Sequence, residues 1–422
     1  MTLTTTISSS TTSSVYESRS EKVSIGQFRT RRQPAWTKPT EKFWLNVGRS
    51  RDERWARYIV LIGIALGVLG AIAVIVVEYL QSNRAAYVLV LHDKFDGPDI
   101  SSANWKHEQE LGGFVEGSFD VTTDSSVNSW IDHGMLHIKP TLNPLYADDS
   151  QVNLTETGQC TSSSPIDCYA LQNVTGFAAI PNIQTARLKS RTSITYGKVE
   201  VTAKFPKGDW LFSTIGLDPE ELKYGQFPAS GQIDIAQNRG NDYKYISGGR
   251  NKIDTIVHFG SDGQAYADCA SLARNQVSSG HRDFSARFHT FGLEWTPDYI
   301  RTWLDYPSNT ILEQRWQHGF WKKAAYGKRF PNDASYEHLT NPWTNGTKAA
   351  PYDQPFHLTL RSNVGAVSGI FGIDTAKPWY DDAGRGASMI AFQNNHTSFE
   401  SWGTEDEHTM YIKEVKMWQQ VM

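Results

Sequence analysis

Hydrophobic and polar positions change rhythm twice along the chain. From Tyr58 to Val77, 20 successive residues carry no charge and are rich in Ile, Val, Leu, Ala and Gly. At about 1.5 Å per residue such a helix spans roughly 30 Å, the thickness of a bilayer's hydrocarbon core. Before it, residues 1–14 are almost all Ser and Thr, and residues 15–57 add scattered Lys and Arg with little apolar patterning. So little apolar surface cannot offset the entropy of ordering, and residues 1–57 read as a disordered cytosolic arm. After it, long helical periodicity is scarce. Short alternating or β-branched runs recur instead, such as Tyr87-Val-Leu-Val-Leu91, Gly197-Lys-Val-Glu-Val-Thr-Ala-Lys204 and Phe356-His-Leu-Thr-Leu360. Separated by Gly, Pro, Asn and Asp, they predict an all-β antiparallel sandwich over 81–422.

Flanking charge orients the apolar helix. Lys42, Arg49, Arg51, Arg54 and Arg57 precede it, while Glu78 and a lone Arg84 follow. Excess Lys and Arg mark the cytoplasmic side, so residues 58–80 read as a signal anchor of a single-pass type II membrane protein of the secretory pathway or plasma membrane. Four N-glycosylation acceptors, Asn153, Asn173, Asn345 and Asn395, all lie beyond it, on the lumenal or extracellular side. Gly63 and Gly67 form a Gly-x-x-x-Gly, the spacing through which two such helices can pair as a homodimer.

Composition narrows the function. With 41 basic and 45 acidic residues the net charge is −4, which speaks against a nucleic-acid partner. Three Cys are too few for a disulfide-built scaffold. Cys160 and Cys168 close a short loop on the oxidising side and are expected to pair, leaving Cys269 as a buried thiol. No Cys-x-x-Cys pair occurs, and His258 and His289 lack metal-ligand spacing, so no metal or cofactor is expected.

The most informative run is Lys207-Gly-Asp-Trp-Leu-Phe212, followed by Tyr224-Gly-Gln-Phe-Pro-Ala-Ser-Gly-Gln-Ile-Asp-Ile-Ala-Gln-Asn-Arg-Gly-Asn241. This resembles glycoside hydrolase family 16, the β-1,3(4)-glucanase and laminarinase group. It is especially similar to the membrane-anchored fungal branch and to the β-1,3-glucan recognition proteins. Tyr196-Gly-Lys-Val-Glu-Val201, Phe288-His-Thr-Phe-Gly-Leu-Glu-Trp295, Asn341-Pro-Trp343 and Lys377-Pro-Trp379 extend the resemblance in the family's order. It implies a β-jelly roll of the concanavalin A-like lectin and glucanase type, with sugar bound along the concave face.

The family's signature is Glu-x-Asp-x-x-Glu. On a plain strand, offsets 0, 2 and 4 share a face and offset 5 points away, whereas a β-bulge restores the phase. Here the outer positions are Gln232 and Gln237, and Asp234 alone keeps its carboxylate. An amide neither forms the glycosyl ester readily nor has a useful proton to give. Two other departures touch the cleft. Gly216 stands where the family has Trp, and Arg361-Ser-Asn-Val-Gly-Ala-Val-Ser-Gly369 replaces its Asn-Val-Ala-Val-Gly-Gly-Thr-Asn-Gly.

The expected protein therefore binds or scaffolds β-1,3-glucan or a related wall polymer and is catalytically impaired. The resemblance assigns sugar contacts to Trp210, Tyr224, Phe227, Trp343 and Trp379, whose ring faces suit glucose units, and to Arg239 and His258 as hydrogen-bond donors. Each aromatic is equally a candidate for the sandwich core, and His258 for a structural histidine. Two alternatives stand beside this reading. One is an active glucanase or transglycosylase using Asp234 or Glu200; the other is a secretory-pathway partner protein that has lost sugar binding.

Overall fold

The computed structural model describes residues 51–82, 86–142, 150–262, 270–280, 282–325, 339–373 and 376–421. Residues 1–50 of the expected arm, and Cys269, lie outside them. The chain divides into two compact units, Met1–Tyr79 and Leu80–Met422.

In the first unit a helix runs over Arg51–Ser82. Residues 51–57, assigned from sequence to the disordered arm, are thus helical. Nothing between Arg51 and Ile62 breaks a helix, and Arg, Glu and Ala are good formers, so the apolar helix propagates back through them. Its stretch from Trp55 to Tyr79 is long and apolar enough to cross a membrane, and none of it is buried within the protein.

The second unit is a sandwich of two antiparallel sheets. One sheet follows the order β18 (Thr310–Arg315), β17 (Tyr299–Leu304), β16 (His289–Trp295), β11 (Gly197–Lys204), β20 (Met410–Val421), β5 (Met135–Ile138) and β4 (Ser129–Asp132), with β1 (Ala86–Asp93) also paired to β20. The other runs β15 (Arg274–Ser278), β14 (Lys252–His258), β13 (Gln232–Arg239), β12 (Leu211–Pro219), β19 (Phe356–Val364), β10 (Arg187–Ile194) and β2 (Trp105–His107). Two small sheets complete the described strands: β3 (Asp120–Thr122), β9 (Ile183–Thr185) and β6 (Thr141–Leu142), then β7 (Gln151–Asn153) with β8 (Tyr169–Leu171).

The sequence pattern explains the layers. In β11 buried and half-buried residues alternate, so Val199 and Val201 face the core while Lys198 and Glu200 face outward. Trp295 of β16 meets Phe356 of β19 edge-on at 5.3 Å, joining the two sheets through one core. β13 behaves differently, because all eight of its residues are buried. Ile233 and Ile235 belong to the core between the sheets. The polar residues alternating with them lie on the opposite face and are covered by loops. A second apolar cluster, including Trp210, Phe212, Phe371 and Trp379, packs where β12 begins and β19 ends. A third surrounds the Cys160–Cys168 disulfide (Cα–Cα 5.7 Å) with Leu111, Val152, Leu154 and Ile180.

Candidate functional site: a bulged strand beneath a divided cleft

β13 pairs with β14 so that Gln232 stands opposite His258 and Asp234 opposite Ile256; the register then shifts and Gln237 stands opposite Asp254. The same irregularity appears against β12, where Ala236 faces Ile215 but Asp234 faces Gly216. His258, Ile256 and Asp254 are spaced by two and share a face, and so must the residues opposite them. One inserted residue therefore keeps Gln237 in phase with Gln232 and Asp234. Without it, the Gln237 amide would turn into the layer that holds Ile233 and Ile235.

Asp234 is the hub of this face. The Gln232 amide donates to its Oδ1 at 3.2 Å and the Gln237 amide to its Oδ2 at 3.4 Å. His258 Nε2 lies 2.9 Å from the same Oδ2, and the Arg361 guanidinium is 3.8 Å from Oδ1. Burial opposes the Asp234 charge, but His258 beside it, then Arg361 and the Gln232 amide, outweigh burial and hold its pKa below the ordinary carboxylate value. Two carboxylates at positions 232 and 237 would repel Asp234; two amides donate to it. Gly216 gives this cluster room: a Cβ there would come 3.1 Å from Asp234 Oδ1 and 3.2 Å from the Ile233 carbonyl oxygen.

Above the strand lies a cleft in two lobes. One, about 480 Å³, is walled by Glu110, Phe114, Arg187 and Asp218. The other, about 470 Å³, is walled by Asp234, Gln237, His258 and Ile370. Val115, Phe227 and Gln232 line both lobes, so the division between them runs over Gln232. Val115 rides on a strap, residues 111–117, that is clamped by Glu116. The Glu116 carboxylate takes both terminal nitrogens of Arg361, with Nη1 at 2.9 Å. The strap turns tightly at Gly113 (φ 78°), where a Cβ would clash with the Ser118 carbonyl oxygen at 2.4 Å.

Of the residues assigned to sugar contact, Phe227 and His258 line the cleft. The others are corrected. Trp210 sits in the second cluster, edge-on to Tyr245, Phe371 and Trp379. Trp379 is buried there and donates its indole N–H to the Ala366 carbonyl at 2.8 Å. Trp343 is buried in the main core and donates to the Ala229 carbonyl at 2.7 Å. Tyr224 is half-buried, its hydroxyl given to Asp353 at 2.6 Å. Arg239 spends both terminal nitrogens on Asp254 at 2.8 Å and its Nε on the Ile370 carbonyl at 2.7 Å. A buried indole or guanidinium must satisfy its donors, and nearby loops offer carbonyls and carboxylates. These side chains brace the loops around the cleft rather than face it. Glu200 lies on β11 in the other sheet, opposite Gly292 and Lys416, away from the cleft.

The acceptors Asn173 and Asn345 are exposed, and Asn153 and Asn395 half-buried. Among the described residues no cluster of His, Cys, Asp or Glu could hold a metal ion.

The sequence profile of Glycosyl hydrolases family 16 matches residues 150–353. A β-1,3-glucan-binding protein of Penaeus monodon is 30% identical over 331 residues, a match covering 75% of this chain and 84% of that protein. The chain belongs to glycoside hydrolase family 16. It is also 26% identical over 347 residues to β-1,3-glucan-binding protein 1 of Manduca sexta, covering 78% of itself but only 64% of that longer relative. Among solved structures, one of the endo-acting O-glycanases expressed by members of the human gut microbiota matches with a TM-score of 0.50 at 18% identity, covering 79% of this chain and 91% of that one. At that identity the likeness concerns the jelly-roll-like fold alone.

Several cleft residues of this family 16 chain escaped the sequence reading, namely Val115, Glu116, Arg187, Asp218 and Arg274, and Arg361 was named only as the start of an altered cleft stretch. Arg361 sits at the concave-face phase of β19, opposite Thr214 of β12, and that periodicity was a usable signal. Nothing local marks Glu116 as its partner.

Proposed function

We propose that this family 16 protein binds β-1,3-glucan in its cleft and does not hydrolyse it. The observation that carries the reading is the pair of amides, Gln232 and Gln237, hydrogen-bonded to Asp234 on the bulged strand. Retaining hydrolysis needs a nucleophilic carboxylate and a proton donor about 5–5.5 Å apart. Neither amide serves either role, and Asp234, held as an anion by His258 and Arg361, keeps no proton to give at neutral pH. Recognition is supported by a cleft with Phe227 and polar groups on its walls, and by the glucan-binding proteins it resembles.

The reading includes the membrane. A helix apolar on every side needs apolar cover, and nothing within the described residues of the protein supplies it. We place Trp55–Tyr79 across a bilayer with the basic N-terminal flank in the cytosol, the domain and its four acceptor Asn residues on the other side, and Gly63 and Gly67 available for pairing.

Laminaritetraose titrated into the full-length chain in detergent micelles tests recognition. Expected are saturable heats, no released product over hours, and affinity about two- to tenfold weaker for Phe227→Ala, the worth of one aromatic contact. An absence of saturable binding would end the glucan reading, and product release would end the claim of silence.

A further inference from the structure

The two lobes differ in charge. Four carboxyl groups, Glu108, Glu110, Asp167 and Asp218, line the lobe beyond Gln232, with three cations, Arg187, Lys189 and Arg361. Each cation is engaged. Arg187 donates to Glu108 at 2.6 Å and to Asp218, and lies 3.9 Å from the centre of the Phe114 ring. Lys189 pairs with Glu108 at 3.5 Å, and Arg361 is taken by Glu116, which does not line this lobe. Behind the lobe, Asp120 and Arg385 add one charge of each sign. With every carboxyl ionised the lobe holds surplus negative charge, and among the described residues Glu110 and Asp167 have no cation within ion-pair distance.

Glu110 shows what that surplus costs. It is 7% exposed; its Oε1 accepts the Phe114 N–H at 3.0 Å, and its Oε2 has no hydrogen-bond partner among the described residues. Burial first, then the nearby charges of Asp167 and Glu108, push its pKa up to about 7 against the pull of Arg187. A hydroxyl of a neutral glucose unit can donate to that oxygen but leaves the surplus negative charge of the lobe uncompensated. An ammonium group would satisfy both.

We propose that this lobe accepts a cationic amino-sugar residue, its ammonium held by Glu110 and Asp167, next to the glucan position over Gln232. The inference rests on the cleft being a sugar-binding site. An N-acetylated unit carries no charge and has an amide in place of the ammonium, so it forfeits the interaction. A hydrogen bond between charged partners of this kind is worth about tenfold or more in affinity.

The test is calorimetric titration of the full-length chain in micelles at pH 6.5 with three probes: a β-1,4-linked glucosamine tetrasaccharide, its fully N-acetylated form, and laminaritetraose. The glucosamine probe should bind about tenfold tighter than its acetylated form, lose that advantage at high salt, and release a proton from Glu110 on binding. In Glu110→Gln the proton release and most of the preference disappear. Asp167→Asn, a separate change in the same lobe, reduces the preference too, which guards against misfolding of one variant. Equal affinity for the two amino-sugar forms, or a preference that survives both substitutions and salt, overturns the proposal. The laminaritetraose arm reads the glucan proposal separately: no binding there, with salt-sensitive glucosamine binding retained, removes the glucan reading and leaves the charged lobe standing.

Discussion

Four side chains converge on the Asp234 carboxylate, and one of them, Arg361, is itself fixed by Glu116 on the strap. This links the floor of the cleft to its wall through a single buried guanidinium, 1% exposed. Removing one partner of a buried ion pair leaves an uncompensated charge and typically costs about 3–5 kcal/mol. Glu116→Gln keeps the shape and deletes the charge, so its chemical unfolding should show a loss of that order. A loss below about 1 kcal/mol would mean that solvent reaches Arg361 and the strap is not clamped. At this scale the floor was legible and the clamp was not. Spacing by two, with the one bulge that the family's signature calls for, put Gln232, Asp234 and Gln237 on one face. Glu116 and Arg361 stand 245 positions apart, and no local pattern pairs residues at that distance.

Among the elements, strands with one covered face announced themselves, as β11 does by strict alternation. β13 reads less plainly because loops bury its polar face as well, and the family signature, rather than periodicity, marked it. The aromatics misled for a related reason. Trp210, Trp343 and Trp379 lie in cleft-flanking segments, but adjacency in sequence to a cleft does not fix which way an indole points; the carbonyls waiting for its N–H do. The helix Arg51–Ser82 carries a prediction of its own. In sealed vesicles with the cytosolic face outward, added protease should trim residues 1–50 and leave the β-sandwich domain intact. An arm that is protected while the domain is digested would reverse the proposed orientation.

Across the whole molecule, two buried carboxyl groups near the strap set a pH dependence. Burial pushes Glu110 up to about 7 and Asp120 up to about 6, from ordinary values of 4.5 and 3.8. Between those limits the folded chain binds protons that the unfolded chain has released, so stability falls as pH rises from about 4.5 toward 7. Asp234 and Glu108, held low by their cationic partners despite burial, act in the opposite sense and only below their ordinary values. Burial holds His107, His137, His357 and His408 below their ordinary value of 6.5, and these oppose the fall over the same range. The Glu110 share is therefore read as a difference: Glu110→Gln should raise the thermal midpoint relative to the native chain more at pH 7 than at pH 5. An equal change at the two pH values would place the proton elsewhere.

On the function proposed, a family 16 cleft keeps its form while two amides remove its chemistry. The most direct measurement follows products from laminaritetraose for the full-length chain beside a variant carrying Gln232→Glu and Gln237→Glu together. Expected are no product from the native chain and measurable hydrolysis or transfer from the restored one, with either single change remaining silent because each supplies half of the pair. Turnover by the native chain would contradict this reading, and so would a well-folded double variant that binds the oligosaccharide but leaves it intact.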